Sequence, residues 1–329
     1  MIAFLIKRLL TLLLTLIGIT LISFSTIHLA PGGPLSPITE FNPKITPEYR
    51  EKLVKMYGLD KPFYLQYWNW LKGIVKFDFG KSFSLDQRPV WDKIKERLPV
   101  TIFINALSLI LILVLSIPLG VYSAVRAGGI FDRIVTIITF IGYAMPSFWL
   151  AIILMMIFGV KLQWLPISGL HSTIGYEEMD IIQKIIDWTK HLICPIFVAV
   201  FGGIAGPLRY IRNSMYEVLK ADFIIFARAK GIPEKVIIYK HALRNALLPL
   251  ITILGLSLPG LIGGSVIFET IFGIPGVGQL MWQAVMARDY PVIMANLFLI
   301  SFLTLLGNFL ADIGYALADP RIRLEATKQ

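Results

Sequence analysis

Arg228, Lys230, Lys235, Lys240, His241 and Arg244 crowd into one stretch, ADFIIFARAKGIPEKVIIYKHALRN, at Ala221–Asn245. In a soluble chain of net charge +10, such a cluster would point to nucleic acid. Other chemistry is sparse. FGKS at Phe79–Ser82 resembles the end of a phosphate-binding loop, but that motif needs a glycine where this chain has Val75. His28, His171, His191 and His241 are scattered, and Cys194 is the sole cysteine. Internal disulfides and cysteine metal clusters are therefore excluded. No H-E-x-x-H, G-x-S-x-G or paired acidic motif occurs, so the chain reads as non-catalytic.

The elements that must carry this cationic stretch are built for lipid. Of the 329 residues, 56% are hydrophobic and 16% charged, with a mean hydropathy of +0.71. Soluble domains are nearer one-quarter charged. A spanning helix needs about 20 apolar residues, and six stretches qualify: about 9–30, 101–125, 134–158, 192–208, 246–268 and 292–311. The first has too long an apolar core for a secretory signal and no good cleavage site before Pro31, so it reads as a retained helix. None of the six has a Lys, Arg, Asp or Glu in its interior; Glu269 and Asp312 fall at ends. A carrier driven by protons would normally hold a carboxylate at depth.

Short-loop charge gives the orientation. Lys7 and Arg8, then Arg126 and Arg133, then Ala221–Asn245, then Arg321, Arg323 and Lys328 all fall on one side if there are six spans. That side is expected to be cytoplasmic, with both termini on it. Trp164, Trp188, Trp282 and Tyr290 then lie near outer helix ends, as an aromatic belt would.

The expected organisation is a tail and first span at 1–30, an extracytoplasmic helical insertion at 31–98, a five-span core at 99–318 with a cytoplasmic loop at 209–245, and a cytoplasmic tail at 319–329. In the insertion, Thr46-Pro47 starts a helix with Tyr49, Leu53, Met56 and Tyr57 on one face, ended by Gly58. Pro62 opens another, with Phe63, Tyr67, Trp70, Leu71 and Ile74 on one stripe. No repeat period suggests a solenoid. The fold class is all-α, polytopic.

The cationic stretch is not a plain hydrophilic linker. Phe223, Ile224, Phe226 and Ala227 cluster before Gly231; Val236, Ile237, Ile238 and Leu243 follow it. Gly231 can end one helix with positive φ and Pro233 can start the next. The expectation is helix, tight turn, helix, with an apolar surface that a cytosolic partner could cover.

ARAKG at Ala227–Gly231 followed by HALRNALLP at His241–Pro249 resembles the cytoplasmic EAA loop of ABC-importer permeases, dipeptide/oligopeptide/nickel branch. KRLL at Lys7–Leu10, LAPGGP at Leu29–Pro34, GLDKPFYLQYWNWL at Gly58–Leu71, FDFGKSF at Phe77–Phe83, RDYPV at Arg288–Val292 and DPRIR at Asp319–Arg323 agree across the whole chain. The likeness is to the B-type subunit, oligopeptide/microcin C branch. It implies a type I importer permease fold and a coupling helix seated on a cytosolic ATPase, with Asp222, Ala227, Arg228, Ala229, Lys230 and Gly231 as contacts. The general signature has Glu where this chain has Ile225. The implied partners are a homologous second permease, two ATPase subunits that bind ATP and Mg, an extracytoplasmic binding protein, a peptide and membrane lipid; nucleic acid is not among them. No cofactor is expected on this chain, and the implied localisation is the bacterial inner membrane.

Gly255, Ser257, Gly260, Gly263, Gly264 and Ser265 form a small-residue strip in the fifth span. Close helix packing explains such a strip; the resemblance alternatively implies a place beside the translocation route, with Ser257, Gly260, Gly264 and Ser265 as candidates. Tyr143, Pro146 and Ser147 could kink the third span beside it. FGIPGVGQ at Phe272–Gln279 reads either as a turn near an external gate or as an ordinary Gly/Pro loop. The uncharged spans lead to a neutral passage. Nickel or another small solute, or an ion-gradient carrier, are the alternative functions.

Overall fold

The computed structural model describes residues 2–29, 47–56, 58–84 and 86–318. Most of LAPGGP, Thr46, Tyr57, the 319–329 tail with DPRIR, and the side chains of Tyr49, Leu53 and Met56 lie outside the described residues.

Thirteen principal helices carry the fold among these residues. α1 is Ile2–Leu29, α2 Pro47–Met56, α3 Phe63–Val75 and α4 Val90–Val125. α5 is Ile130–Ala144, and α6 is Ser147–Leu154, continued as a π-helical segment at Met155–Lys161. α7 is Ile181–Gly203, α8 Ala205–Val218 and α9 Asp222–Ala229. α10 is Leu248–Gly263, α11 Val266–Ile271, α12 Val277–Met286 and α13 Tyr290–Ala318. An isolated bridge between Lys81 and Pro89 is the one β pairing among the described residues.

Five helical segments are long and apolar enough to cross a bilayer: Ile6–Leu29, Val90–Val125, Ile181–Val218, Ile253–Ile271 and Tyr290–Gly314. α5 and α6 with its continuation are together apolar enough to cross as a bent pair, with an angle of 95° at Met145-Pro146. Proline lacks the N–H that would continue the helix and disfavours α geometry in the residue before it. Met145 accordingly turns extended, so the kink expected at Pro146 is present.

Three spans differ from their sequence outlines. The fourth is not a short run from 192: α7 begins at Ile181, held by a capping box in which Asp180 accepts from the Gln183 N–H at 2.7 Å. It passes Ile204 into α8, so the span reaches Val218. The second begins at Val90, and its 36 residues extend roughly 54 Å, well beyond a hydrocarbon core of about 30 Å. The fifth breaks at Gly264, which takes φ +67 and ends α10; Ser265 caps α11.

α10 and α13 pack together, and α1 lies on α13. At one end, Arg8 pairs with Asp312 at 3.2 Å, and Arg212 grips Asp132 through Nε at 2.6 Å and Nη2 at 2.7 Å. This end carries the Ala221–Asn245 stretch. At the other end, α2 stops where Gly58 takes φ +66, and α3 follows Pro62. The α3 stripe is where its spacing placed it. Tyr67 and Trp70 pack with the buried Phe24, Ile27 and Met294, and the Tyr67 hydroxyl meets Thr20 Oγ1 at 2.9 Å. Ile74, with Trp70 and Leu71 against it, joins Val90, Ile94, Leu280 and Val292.

Candidate functional site

The Ala221–Asn245 stretch folds as an elbow. α9 ends where Gly231 takes φ +74, a conformation open to glycine at little cost. Pro233 caps the return segment, which starts at Glu234–Val236, widens into a π-helical turn at Ile237–Ala242 and closes at Leu243–Ala246. Arg228 donates to Glu234 across the turn, from Nη2 at 2.7 Å and Nε at 3.3 Å. The guanidinium holds the Glu234 carboxyl below its usual range.

The elbow is fixed to the spans. Ile224 and Ile237 are fully buried with Val121 of α4, Ile211 and Met215 of α8, and Leu250 of α10. One apolar cluster thus joins the elbow to three membrane helices. The apolar residues divide by face. Ile224 points inward and Ala227 packs half-buried against the cluster. Phe223, Ile225 and Phe226 point outward at 47%, 55% and 68% exposure. Asp222, Arg228, Ala229, Lys230 and Gly231 are exposed around them. The small side chain of Ala227 therefore seats α9 on its own chain. The outward ridge is Phe223 and Phe226, which local sequence alone could not separate from Ile224 because all lie in one apolar run.

The candidates for the passage fall into distinct environments. Tyr143 is 72% exposed and lines a cavity of about 520 Å³ between α5 and α8, with Arg209, Asn213 and Glu217 opposite. Arg209 lies over the Phe140 ring, 4.9 Å from its centroid. The lining is mainly apolar, with Arg209 and Glu217 as charges that the uncharged span outlines left out. The signal was present in the sequence: Gly206, Arg209, Asn213 and Glu217 share one helical face, but the outline ended the span at Leu208. Pro146 and Ser147 sit at the 95° bend.

The small-residue strip divides as well. A Cβ on Gly255 would stand 2.7 Å from the Gly307 carbonyl oxygen, and one on Gly263 would stand 3.0 Å from Ile300. These two are packing glycines against α13. Gly260 is exposed with open space around it, and Asn105 donates to its carbonyl at 2.8 Å. Ser257 returns its hydroxyl to the Leu254 carbonyl at 2.7 Å. Gly264 and Ser265 form the helix break.

Two polar knots at the end opposite the elbow account for motifs that local sequence left open. Buried Glu269 accepts from Thr101 Oγ1 and from the Gln279 N–H, both at 3.0 Å. Thr101 Oγ1 in turn accepts from the Val277 N–H at 2.8 Å. This carboxylate holds the FGIPGVGQ loop on α4. In the second knot, Asp289 accepts from Ser82 Oγ and, at 3.0 Å, from the Phe83 N–H. Lys93 reaches Ser82 at 2.9 Å and Asp86 at 2.7 Å. The FGKS stretch thus folds onto the chain's own aspartate. Hydrogen bonds from Lys93 and Ser84 lower the Asp86 carboxyl to a pKa of about 2.

Five apolar crossings and a sharply bent helix pair, a folded basic elbow sharing one core with three crossings, and a cavity beside the bend that holds Arg209 and Glu217 define a polytopic membrane protein. Residues 116–324 match the family described as "binding-protein-dependent transport system inner membrane component", and residues 1–105 match its N-terminal family. The chain belongs to this family of inner-membrane permeases. The oligopeptide transport system permease protein AppB of Bacillus subtilis is 44% identical over 322 residues, covering 98% of this chain and 99% of the relative. The di/tripeptide permease DppB of Pseudomonas aeruginosa is 34% identical, with 98% and 99% covered. The dipeptide permease DppB of Escherichia coli K12 is 36% identical, with the same coverage. The resemblance carried by the sequence motifs is borne out.

Proposed function

We propose that this chain is the B-type permease subunit of an ATP-driven peptide importer. It forms the passage with a homologous second permease and receives peptide from an extracytoplasmic binding protein. Two cytosolic ATPase subunits bind and hydrolyse ATP with Mg, while this chain carries no cofactor. The elbow and both termini are cytoplasmic. The peptide substrate is supported by the relatives' names, all of which are peptide permeases.

One observation carries the coupling role: the elbow exposes Phe223 and Phe226 while Ile224 and Ile237 lock it to α4, α8 and α10. An aromatic ridge on a rigid mount is what a separate motor needs in order to push on a set of spans. A displacement of the ridge is passed to the helices that share its core, and rigid-body motion of those helices alternates access to the passage. In this reading Asp222, Arg228, Ala229 and Lys230 form the rim around the two rings, and Gly231 sets the turn. Tyr143, Arg209, Ser257 and Gly260 face the passage, with Pro146 and Ser147 setting the bend beside it.

The test is Phe226→Asp in the complete transporter. A buried aromatic at an interface is commonly a hot spot, so peptide uptake should fall at least roughly ten-fold. Helix content and assembly of the membrane domain should be unchanged, because Phe226 is exposed in this chain. Normal uptake and normal peptide-stimulated ATP hydrolysis would overturn the coupling role.

A further inference from the structure

A second groove, of about 690 Å³, runs between α4 and α7 and takes no part in the features above. Its walls are almost wholly apolar. One is Phe103, Leu107, Leu111 and Leu115 of α4; the other runs from Trp188 to Val200 on α7. Both helices are spans that enter from the end opposite the elbow. The two walls are in register: Phe103 and Trp188 meet at the top with ring centroids 6.2 Å apart. Below that contact each wall continues for twelve residues, roughly 18 Å. This is close to one leaflet of a hydrocarbon core about 30 Å thick.

The mouth differs from the slot. Lys184 lies one turn above Trp188, half-buried, with its ammonium 5.2 Å from the centroid of the Tyr176 ring. The Tyr176 hydroxyl accepts from Trp188 Nε1 at 2.7 Å, so the two rings fix the floor under the lysine. Among the described residues no salt bridge is formed by Lys184; the nearby Asp180 is committed to the Gln183 N–H. A one-leaflet apolar slot, topped by an indole and a phenol at interface depth with a cation above, matches the order of parts in a phospholipid.

We propose that this groove binds one membrane phospholipid in the leaflet opposite the elbow, with an acyl chain between α4 and α7 and the phosphate on Lys184. The bound lipid lies along the open side of the groove, where α4 and α7 touch behind it at Ile104 and Val198, and steadies the pair as the elbow moves.

The experiment uses the intact chain with its partner subunits, extracted in mild detergent and equilibrated with phosphatidylglycerol. A photoreactive benzophenone side chain in place of Leu111 should crosslink to phosphatidylglycerol. Native mass spectrometry should show one retained lipid per chain. Lys184→Glu should lower retention at least about five-fold, since it replaces attraction for the phosphate by repulsion. Leu111→Trp should displace the lipid by filling the open slot. Retention unaltered by both substitutions would mean general annular lipid and overturn the proposal. So would a Leu111 crosslink to a protein subunit, which would show that a partner helix fills the groove.

Discussion

Ile224 of α9 and Ile237 of the return segment lie on opposite sides of the Gly231 turn, yet both are fully buried in one cluster with Met215 and Val121. That relationship makes the elbow part of the membrane domain. Truncating either side chain leaves a cavity where three spans meet, at a cost of about 2–5 kcal/mol. Ile224→Ala and Ile237→Ala are expected to lower the unfolding midpoint of the purified subunit and weaken transport. Phe226→Asp should lower transport alone. Denaturant titration alongside uptake separates the two classes.

The small-residue strip gives a second contrast. Gly255→Ala forces a methyl group against the Gly307 carbonyl and Ala311, and such overpacking costs about 1–3 kcal/mol. Gly260→Ala meets nothing within contact range and should leave stability within about 0.5 kcal/mol. If Gly260 faces the passage, Gly260→Leu should reduce peptide uptake without altering the unfolding midpoint. An unchanged uptake would remove Gly260 from the passage.

Glu269→Gln tests the first polar knot. Both carboxylate oxygens accept hydrogen bonds, one from Thr101 and one from the Gln279 N–H. An amide places a donor where one of these acceptors stood and leaves a buried group unpaired, costing about 1–3 kcal/mol. Proteolysis of the 272–279 loop should become faster in this variant. Equal cleavage rates would show that the carboxylate does not hold the loop.

Asp86 provides a pH test. Its folded pKa of about 2 lies below the ordinary value of 3.8, so the ionised form is favoured by folding. The stabilisation is complete above about pH 4 and is lost as pH falls through about 2. The carboxylate is 44% exposed, so screening leaves the contribution under about 1 kcal/mol. Asp86→Asn should remove that increment at neutral pH and flatten the stability change between pH 4 and 2. Thermal unfolding of both forms across that range measures it.

Much of this was legible locally. The spans show as apolar runs, the ends of α2 and α3 follow Gly58 and Pro62, and Gly231 with Pro233 marks the elbow. These features depend on backbone chemistry within a few residues. What was not legible depends on distant partners. Asp289 belongs to Ser82, and Glu269 to Thr101, and no periodicity announces either pairing. The inward Ile224 and outward Phe226 could not be told apart until α8 supplied Ile211 and Met215. Gly255 and Gly260 look alike in the sequence, and only α13 distinguishes them. Arg209 was hidden by a span outline that stopped one residue before it.

The central claim is that the elbow faces the cytosol and seats a separate motor. The most direct measurement is crosslinking from Phe226→Cys in native membranes, where the natural Cys194 is buried and gives little background. The account predicts a crosslink to a cytosolic ATPase subunit and no labelling by a membrane-impermeant thiol reagent added outside the cell. Labelling from outside, with no ATPase crosslink, would contradict it.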